Sequence, residues 1–361
     1  MKIVVVGGGM QGKVIAENLL AREEKPEVVI ADVRQPATVP KGATFSQTDV
    51  LDAAQAAKLV KDADAVVLAV PSEIAHKALE NLITAGASVA DVSFTPDPPL
   101  SLDALAKKNN SCCVVDCGVA PGLSHILGGA AHAELGGLDS LRILVGGMPQ
   151  SAPDGFHHAV YFNPSDLLAE YVRPARARQG GKNIDPAPLD FEFEVFKDTE
   201  LGTLQAFLSD GLRSLLNSYP DVPEMAELTL RWPGHLDTMV TLRQLGLLEP
   251  ETINAVAKQL GTKFASDAFP DVLLMVIEAR RGNERRSWRL IDRRTNNQSA
   301  MARTTGYTTA AVAMVLARKQ FTEAGVHAPE RLGHNEKLTR TIIDDLTARG
   351  INISPLVPAG A

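Results

Sequence analysis

Short apolar, β-branched runs alternate with helical periods through the first third of the chain, the signature of a βαβ series. Strands are predicted at Ile3–Val6, Val28–Ala31, Ala65–Val70, Ser88–Val92 and Cys112–Val115, with helices at Met10–Ala21, Leu51–Lys61, Ile74–Ala85 and Leu100–Lys107 between them. Runs apolar at every position, such as Val66-Val67-Leu68-Ala69-Val70, fit strands covered on both faces in a parallel sheet. The rhythm breaks at Asp116-Cys117-Gly118-Val119-Ala120-Pro121-Gly122, and a helix follows at Leu123–Leu135. Beyond it the pattern predicts strands at Leu141–Val145, Ala159–Phe162, Phe191–Phe196, Val272–Ala279 and Ser287–Ile291, with helices near Leu204–Leu216 and Leu236–Leu245. Arg281-Gly282-Asn283 reads as a hairpin turn between the last two of these strands. Residues 299–319 are small, apolar and helical, so that helix must be buried between layers; Pro355–Ala361 reads as a frayed tail.

The fold expected is α/β: a Rossmann doubly wound parallel sheet with an inserted α+β substrate domain. The domains expected are 1–120 for the dinucleotide, with 300–361 packing back on it, and 121–299 for the substrate. The 361 residues suit two domains, and 45% hydrophobic with 22% charged residues is an ordinary globular composition. A net charge of −7 without a dense basic block argues against nucleic acid or a membrane surface as partner. The three cysteines, Cys112, Cys113 and Cys117, lie in one stretch with no second cluster to bridge to, which reads as a reducing, cytoplasmic environment. The apolar N-terminal run is cut by Gly7-Gly8-Gly9 too early for a signal peptide, and nothing approaches the roughly 18 residues of a membrane span.

Gly7-Gly8-Gly9-Met10-Gln11-Gly12 places G-x-G-x-x-G directly after a strand and at the start of a helix. Gly7 permits the tight turn, Gly9 lets backbone approach a pyrophosphate, and Gly12 lets helix and strand pack closely, with Met10 and Gln11 at the helix N-terminus. Asp32, with Val33 beside it, ends the second strand where a carboxylate accepts from both ribose hydroxyls and repels a 2′-phosphate. NAD is therefore the expected cofactor, and Arg34 leaves NADP open. Asp49 falls where such folds line the adenine pocket, and equally where a helix N-cap is needed. Ala69-Val70-Pro71 should offer its backbone to the nicotinamide ribose, and Ser93 should face the nicotinamide end.

Asp116 ends a strand on the same edge, as a catalytic carboxylate or as the residue that fixes the next loop; Cys117 reads as packing. Arg231-Trp232-Pro233-Gly234-His235 puts a guanidinium and an imidazole at one corner, suited to holding a carboxylate and taking a proton from an amine, or to an ion pair and a helix cap. Arg303, Thr304 and Tyr307 open the apolar helix, either as polar groups for a bound carboxylate or as caps and surface. His125, His157, His158 and Asp210 are weaker candidates, and no metal site is expected.

Together the glycine loop, Asp91-Val92-Ser93-Phe94, Val119-Ala120-Pro121-Gly122-Leu123-Ser124, Val145-Gly146-Gly147-Met148-Pro149, Ser209-Asp210-Gly211-Leu212-Arg213-Ser214, Leu230-Arg231-Trp232-Pro233-Gly234-His235 and Met301-Ala302-Arg303-Thr304-Thr305-Gly306-Tyr307-Thr308 resemble the saccharopine dehydrogenase superfamily, most closely its L-lysine 6-dehydrogenase branch. The resemblance implies a homo-oligomer, dimer or tetramer, and NAD-dependent oxidative deamination of L-lysine at the ε-carbon to 2-aminoadipate 6-semialdehyde. Arg231 with Arg303 would then clamp the α-carboxylate, with the amine near Asp116 and His235. The amine must be neutral to react, so activity should rise toward alkaline pH. An opine enzyme of the saccharopine or carboxynorspermidine type remains an alternative, with Arg173, Arg176 or Arg213 as a second carboxylate anchor; a non-catalytic NAD-binding regulator is the alternative of another class.

Overall fold

The computed structural model describes residues 1–95, 99–295 and 298–356. The first stretch runs β1 (Lys2–Val6), α1 (Met10–Leu20), β2 (Glu27–Asp32), β3 (Thr44–Gln47), α2 (Ala53–Val60), β4 (Ala65–Leu68), α3 (Ser72–Thr84), β5 (Val89–Asp91), α4 (Asp103–Lys108), β6 (Cys112–Val114) and α5 (Leu123–Leu135). Ile3, Val4 and Val5 have no exposed surface, as expected of a strand at the centre of a parallel sheet. α2 starts where it does because Asp52 accepts hydrogen bonds from the Ala54 and Gln55 amides at 2.9 and 3.0 Å.

The middle of the chain holds β7 (Ser140–Pro149), α6 (Pro164–Ala169), β8 (Ala177–Gln179), β9 (Lys182–Ile184), β10 (Glu194–Asp198), β11 (Gly202–Ser209), α7 (Leu215–Ser218), β12 (Glu224–Arg231), α8 (His235–Gln244), α9 (Ile253–Lys263), β13 (Asp271–Arg281) and β14 (Glu284–Arg293). The chain then returns through α10 (Ala300–Ala317), β15 (Gly325–His327), α11 (Glu330–Gly333), α12 (Glu336–Ala348) and β16 (Ile353–Pro355).

Two compact units result, one of residues 1–130 with 302–350, the other of 131–301 with the chain from 351. In the first, a parallel sheet has the order β15-β6-β5-β4-β1-β2-β3, the doubly wound arrangement with one further strand from the returning chain. The carboxyl ends of β1 and β4, where the winding reverses, form its ligand edge.

The second unit is a mixed sheet ordered β10-β11-β12-β7-β13-β14-β16, with β8 and β9 attached to β12. Ion pairs from Arg289 on β14 to Asp198 at 2.8 Å and Glu200 at 3.2 Å tie the β10–β11 turn to the far side of this sheet, so the sheet curls on itself. Its inner face carries Leu144, Leu204, Leu228, Leu230 and Leu274, all buried. Part of the outer face is covered by α6, α8 and α9 through Leu167, Leu236, Met239 and Ala257.

Several sequence expectations are corrected here. Leu204–Leu216 is not a helix: β11 fills 202–209, because Leu204, Ala206 and Leu208 face one layer and Phe207 the other, both buried. Ala159–Phe162 is not a strand; Val160 makes one isolated bridge to Ala265, and Asn163 caps α6 directly afterwards. The strand expected from Phe191 starts at Glu194, after a single helical turn at Pro188–Asp190. The chain beyond Gly350 does not stay with the first unit, because β16 pairs with β14; the tail beyond 356 lies outside the described residues.

Candidate active site

In the first unit the glycine loop has the spacing that the motif requires. A Cβ on Gly7, whose φ is +105°, would fall 2.1 Å from the Ala69 carbonyl oxygen, and one on Gly12 would fall 1.9 Å from that of Gly7. At Gly9, the residue before α1, a Cβ would meet nothing within 4 Å. That opening lies over the unpaired amides of a helix N-terminus, which fits a pyrophosphate. Met10, 65% exposed, flanks it, while Gln11 turns away and donates to the Ala302 carbonyl at 3.1 Å.

Asp32 accepts from the Gly8 amide at 2.7 Å and from the Arg34 amide at 3.1 Å, each through a different carboxylate oxygen. Each oxygen keeps a lone pair for a ribose hydroxyl. Val33 is exposed beside it. Asp49 forms a turn, accepting from the Leu51 amide at 2.9 Å, and the N-cap of α2 is Asp52. Ala69 is fixed to β1 through Val6, and the Val70 amide donates to the Ser93 hydroxyl at 3.1 Å; Pro71 then precedes α3. Ser93 thus ties two strand ends together. Replacing Asp32 with Ser is expected to raise KM for NAD at least tenfold with a smaller change for NADP; equal changes for both cofactors would show that Asp32 does not read the 2′ position.

Asp116 is buried in left-handed backbone, φ +54°, at the end of β6. Such a conformation costs a non-glycine residue about 1 kcal/mol and recurs at functional positions. Arg303 lies 5.3 Å over the Tyr307 ring, one turn along α10. Thr304, on the first turns of α10, is buried.

The second unit carries a buried polar surface on the outer face of its sheet. Arg231, Thr229 and Glu227 of β12 lie opposite Gln205, Phe207 and Ser209 of β11. The Arg231 Nε donates to the Tyr171 hydroxyl at 2.9 Å, an Nη to Glu170 at 2.6 Å, and the other Nη to its neighbour's carbonyl, with the guanidinium 5.7 Å from the Phe207 ring centre. Tyr171 lies 2.8 Å from His235 Nε2, and His235 Nδ1 lies 2.8 Å from the Phe156 carbonyl. A carbonyl only accepts, so Nδ1 carries the proton and Tyr171 donates to Nε2.

Burial, reinforced by the Arg231 charge, pushes the His235 pKa down to about 3. With both nitrogens engaged, the ring holds Tyr171 and through it Arg231 in place. Arg231 keeps two of five N–H groups beyond these three bonds, so it remains able to hold a carboxylate.

Glu170, Tyr171 and Glu227 were not singled out from the sequence. Glu227 is 4% exposed, and its Oε2 has no partner among the described residues. His158, its ring tilted against that of His235 with centroids 4.9 Å apart, has an Nδ1 without a partner among the described residues. Arg176 pairs with Asp210 at 2.7 and 3.0 Å, and Arg173 joins the same carboxylate at 3.6 Å. No described group of His, Cys, Asp and Glu could hold a metal ion, and no described helix is long and apolar enough to cross a membrane.

Residues 118–351 match the family described as the saccharopine dehydrogenase C-terminal domain. The chain belongs to the saccharopine dehydrogenase family. Residues 2–94 match the family described as NADP oxidoreductase, coenzyme F420-dependent. An apo saccharopine dehydrogenase (L-Glu forming) from Saccharomyces cerevisiae shares the fold over 99% of this chain and 100% of its own, with a TM-score of 0.79 at 16% identity. An engineered D-amino acid dehydrogenase aligns over 97% of this chain and 100% of its own, at TM-score 0.50 and 14% identity. The fold is therefore the α/β one expected, with a Rossmann sheet and an inserted mixed-sheet domain. Membership in the saccharopine dehydrogenase family makes the protein an NAD(P)-dependent oxidoreductase of the amino-acid dehydrogenase group, and the open cradle at Gly9 fits its nicotinamide dinucleotide.

The buried Glu227 gives a pH signature. Burial, then the charges of Glu170 and Asp210, raise its pKa from 4.5 to about 8. The folded protein therefore binds this proton more tightly than the unfolded chain, so the stability it contributes is full at acid pH and is lost as pH rises through that interval. Glu227→Gln should flatten this fall in Tm; an unchanged slope would place the titration elsewhere.

Proposed function

We propose that the protein catalyses NAD-dependent oxidative deamination of L-lysine at the ε-carbon, giving 2-aminoadipate 6-semialdehyde. The observation that carries the reading is the charge balance of the buried face. One buried guanidinium, Arg231, stands against the carboxyls of Glu170 and Glu227, while Arg173 and Arg176 are already held by Asp210. A substrate with one carboxylate and two amines suits that balance. An opine with several carboxylates needs a second arginine anchor, and of Arg173, Arg176 and Arg213 the first two share the carboxylate of Asp210.

In this reading Arg231 takes the α-carboxylate, with Tyr171 and His235 fixing its plane. When bound, the nicotinamide ring supplies the acceptor for the hydride that leaves the ε-carbon. The ε-amine reacts as the neutral species, and water adds to the resulting imine to release ammonia. The Asp32 carboxylate supports NAD over NADP by repelling a 2′-phosphate.

The test is NADH formation by the purified protein with NAD and L-lysine, saccharopine, ornithine or carboxynorspermidine. Turnover on lysine above all others is expected, rising toward alkaline pH. Preferred turnover of saccharopine or carboxynorspermidine would replace this reading with the opine one, and NADH binding without any turnover would favour a regulator.

A further inference from the structure

We infer that Met10 is a modification site that controls dinucleotide binding: oxidation of its thioether to the sulfoxide blocks the pyrophosphate cradle, and a bound dinucleotide shields the sulfur. The device acts on the cofactor alone and is independent of which amine is oxidised. The chain has eight methionines and three cysteines. Met148, Met225, Met239, Met275 and Met314 are buried, and Met301 packs on Gly147, where a Cβ would fall 2.2 Å from its sulfur. Met1 and Met10 are exposed, at 45% and 65%. Met1 precedes β1, at the end of that strand away from the glycine loop, whereas Met10 follows Gly9 directly and opens α1. The thiols do not compete for peroxide, which reacts with thiolate. Cys112, Cys113 and Cys117 are all buried, and burial pushes the first two up to about 12 and Cys117 well above its ordinary value. A thioether needs no ionisation, so exposure decides which one reacts.

The position of that sulfur gives the oxidation a consequence. The first bond within α1 runs from the Lys13 amide to the Gly9 carbonyl at 3.0 Å, so the Met10, Gln11 and Gly12 amides have no partner inside the helix. Gly9 has no side chain to cap them, and the first turn holds no acidic residue. These are the donors that a pyrophosphate uses. In the oxidation the sulfur takes one oxygen atom from hydrogen peroxide, the O–O bond breaks, and the peroxide is reduced to water while the sulfur loses two electrons. The product replaces an apolar side chain with a polar one whose oxygen accepts hydrogen bonds. Carried on the first residue of the helix, that oxygen can turn to the free amides, and its negative end repels phosphate oxygens. Thermodynamic linkage makes the effect reciprocal, since a dinucleotide that fills the cradle must cover the side chain beside it.

The test treats the purified protein with hydrogen peroxide, with and without saturating NAD, and maps the gain of oxygen by peptide mass spectrometry. After removal of the peroxide, NADH affinity is measured by fluorescence titration and Tm by thermal melting. Met10 should be oxidised ahead of every other internal methionine, and NAD should slow this markedly. The oxidised protein should bind NADH about tenfold more weakly at an unchanged Tm, the loss of roughly one hydrogen bond to a charged group. Met10→Leu, compared with itself before and after the same treatment, should show no change in its NADH Kd, and enzymatic reduction of the sulfoxide should restore the affinity of the wild type. Full oxidation of Met10 with NADH affinity unchanged would overturn the assignment. So would an equal loss of affinity in Met10→Leu, and a Tm that falls with the affinity in both proteins would place the damage at a buried methionine instead.

Discussion

Arg231→Ala should lower kcat/KM for L-lysine by 10²- to 10³-fold or more while leaving NADH affinity within twofold of wild type. Removing one partner of a buried, hydrogen-bonded charge pair costs about 3–5 kcal/mol, and each 1.4 kcal/mol is a factor of ten. Here the loss falls on Glu170, paired at 2.6 Å, and on the Tyr171 hydroxyl, bonded at 2.9 Å, so a lower Tm is expected as well. Arg231→Lys separates packing from recognition. It keeps the charge but cannot form the planar fork that reaches Tyr171, Glu170 and a carboxylate together, so most of the activity should still be lost with less of the stability. Wild-type kcat/KM in Arg231→Ala would remove Arg231 from the substrate site.

The second large effect concerns the glycine loop, where neighbouring substitutions should act in different ways. Gly12→Ala places a Cβ 1.9 Å from the Gly7 carbonyl oxygen, so α1 must move away from β1. Both Tm and NADH binding should fall. Gly9→Ala meets no protein atom within 4 Å, so Tm should be unchanged while the Kd for NADH rises tenfold or more, because the methyl group occupies the approach of the pyrophosphate. Fluorescence titration and thermal melting of the two variants check both statements; wild-type NADH affinity in Gly9→Ala would mean that the dinucleotide takes another path.

The first unit was legible because its strands are short, apolar on both faces and punctuated by glycine; β1 and β4 start within one residue of the expected positions. β15 was not, because Gly325–His327 is three residues whose strand character comes from pairing with β6. In the second unit β11 was misread as helix because burial on both faces erases the alternation that distinguishes a strand.

The same ambiguity hid half of the site. Glu227, Thr229 and Arg231 alternate with Leu228 and Leu230, a pattern that reads as a strand with one solvent-facing side, yet all five residues are buried. Sequence periodicity distinguishes polar from apolar faces, and it cannot tell whether water or protein covers the polar one. Arg231 and His235 were visible as residues, but the contacts that hold them were not. His235 is held by contacts with Phe156 and Tyr171, 79 and 64 positions away in sequence.

The bond expected to break is the one between the ε-carbon and its nitrogen, and L-lysine carrying ¹⁵N only at the ε-position tests this directly. With NAD and the purified protein, ¹⁵N-ammonia should be released in equal amount to the NADH formed. Unlabelled ammonia, or NADH formed without ammonia, would contradict it.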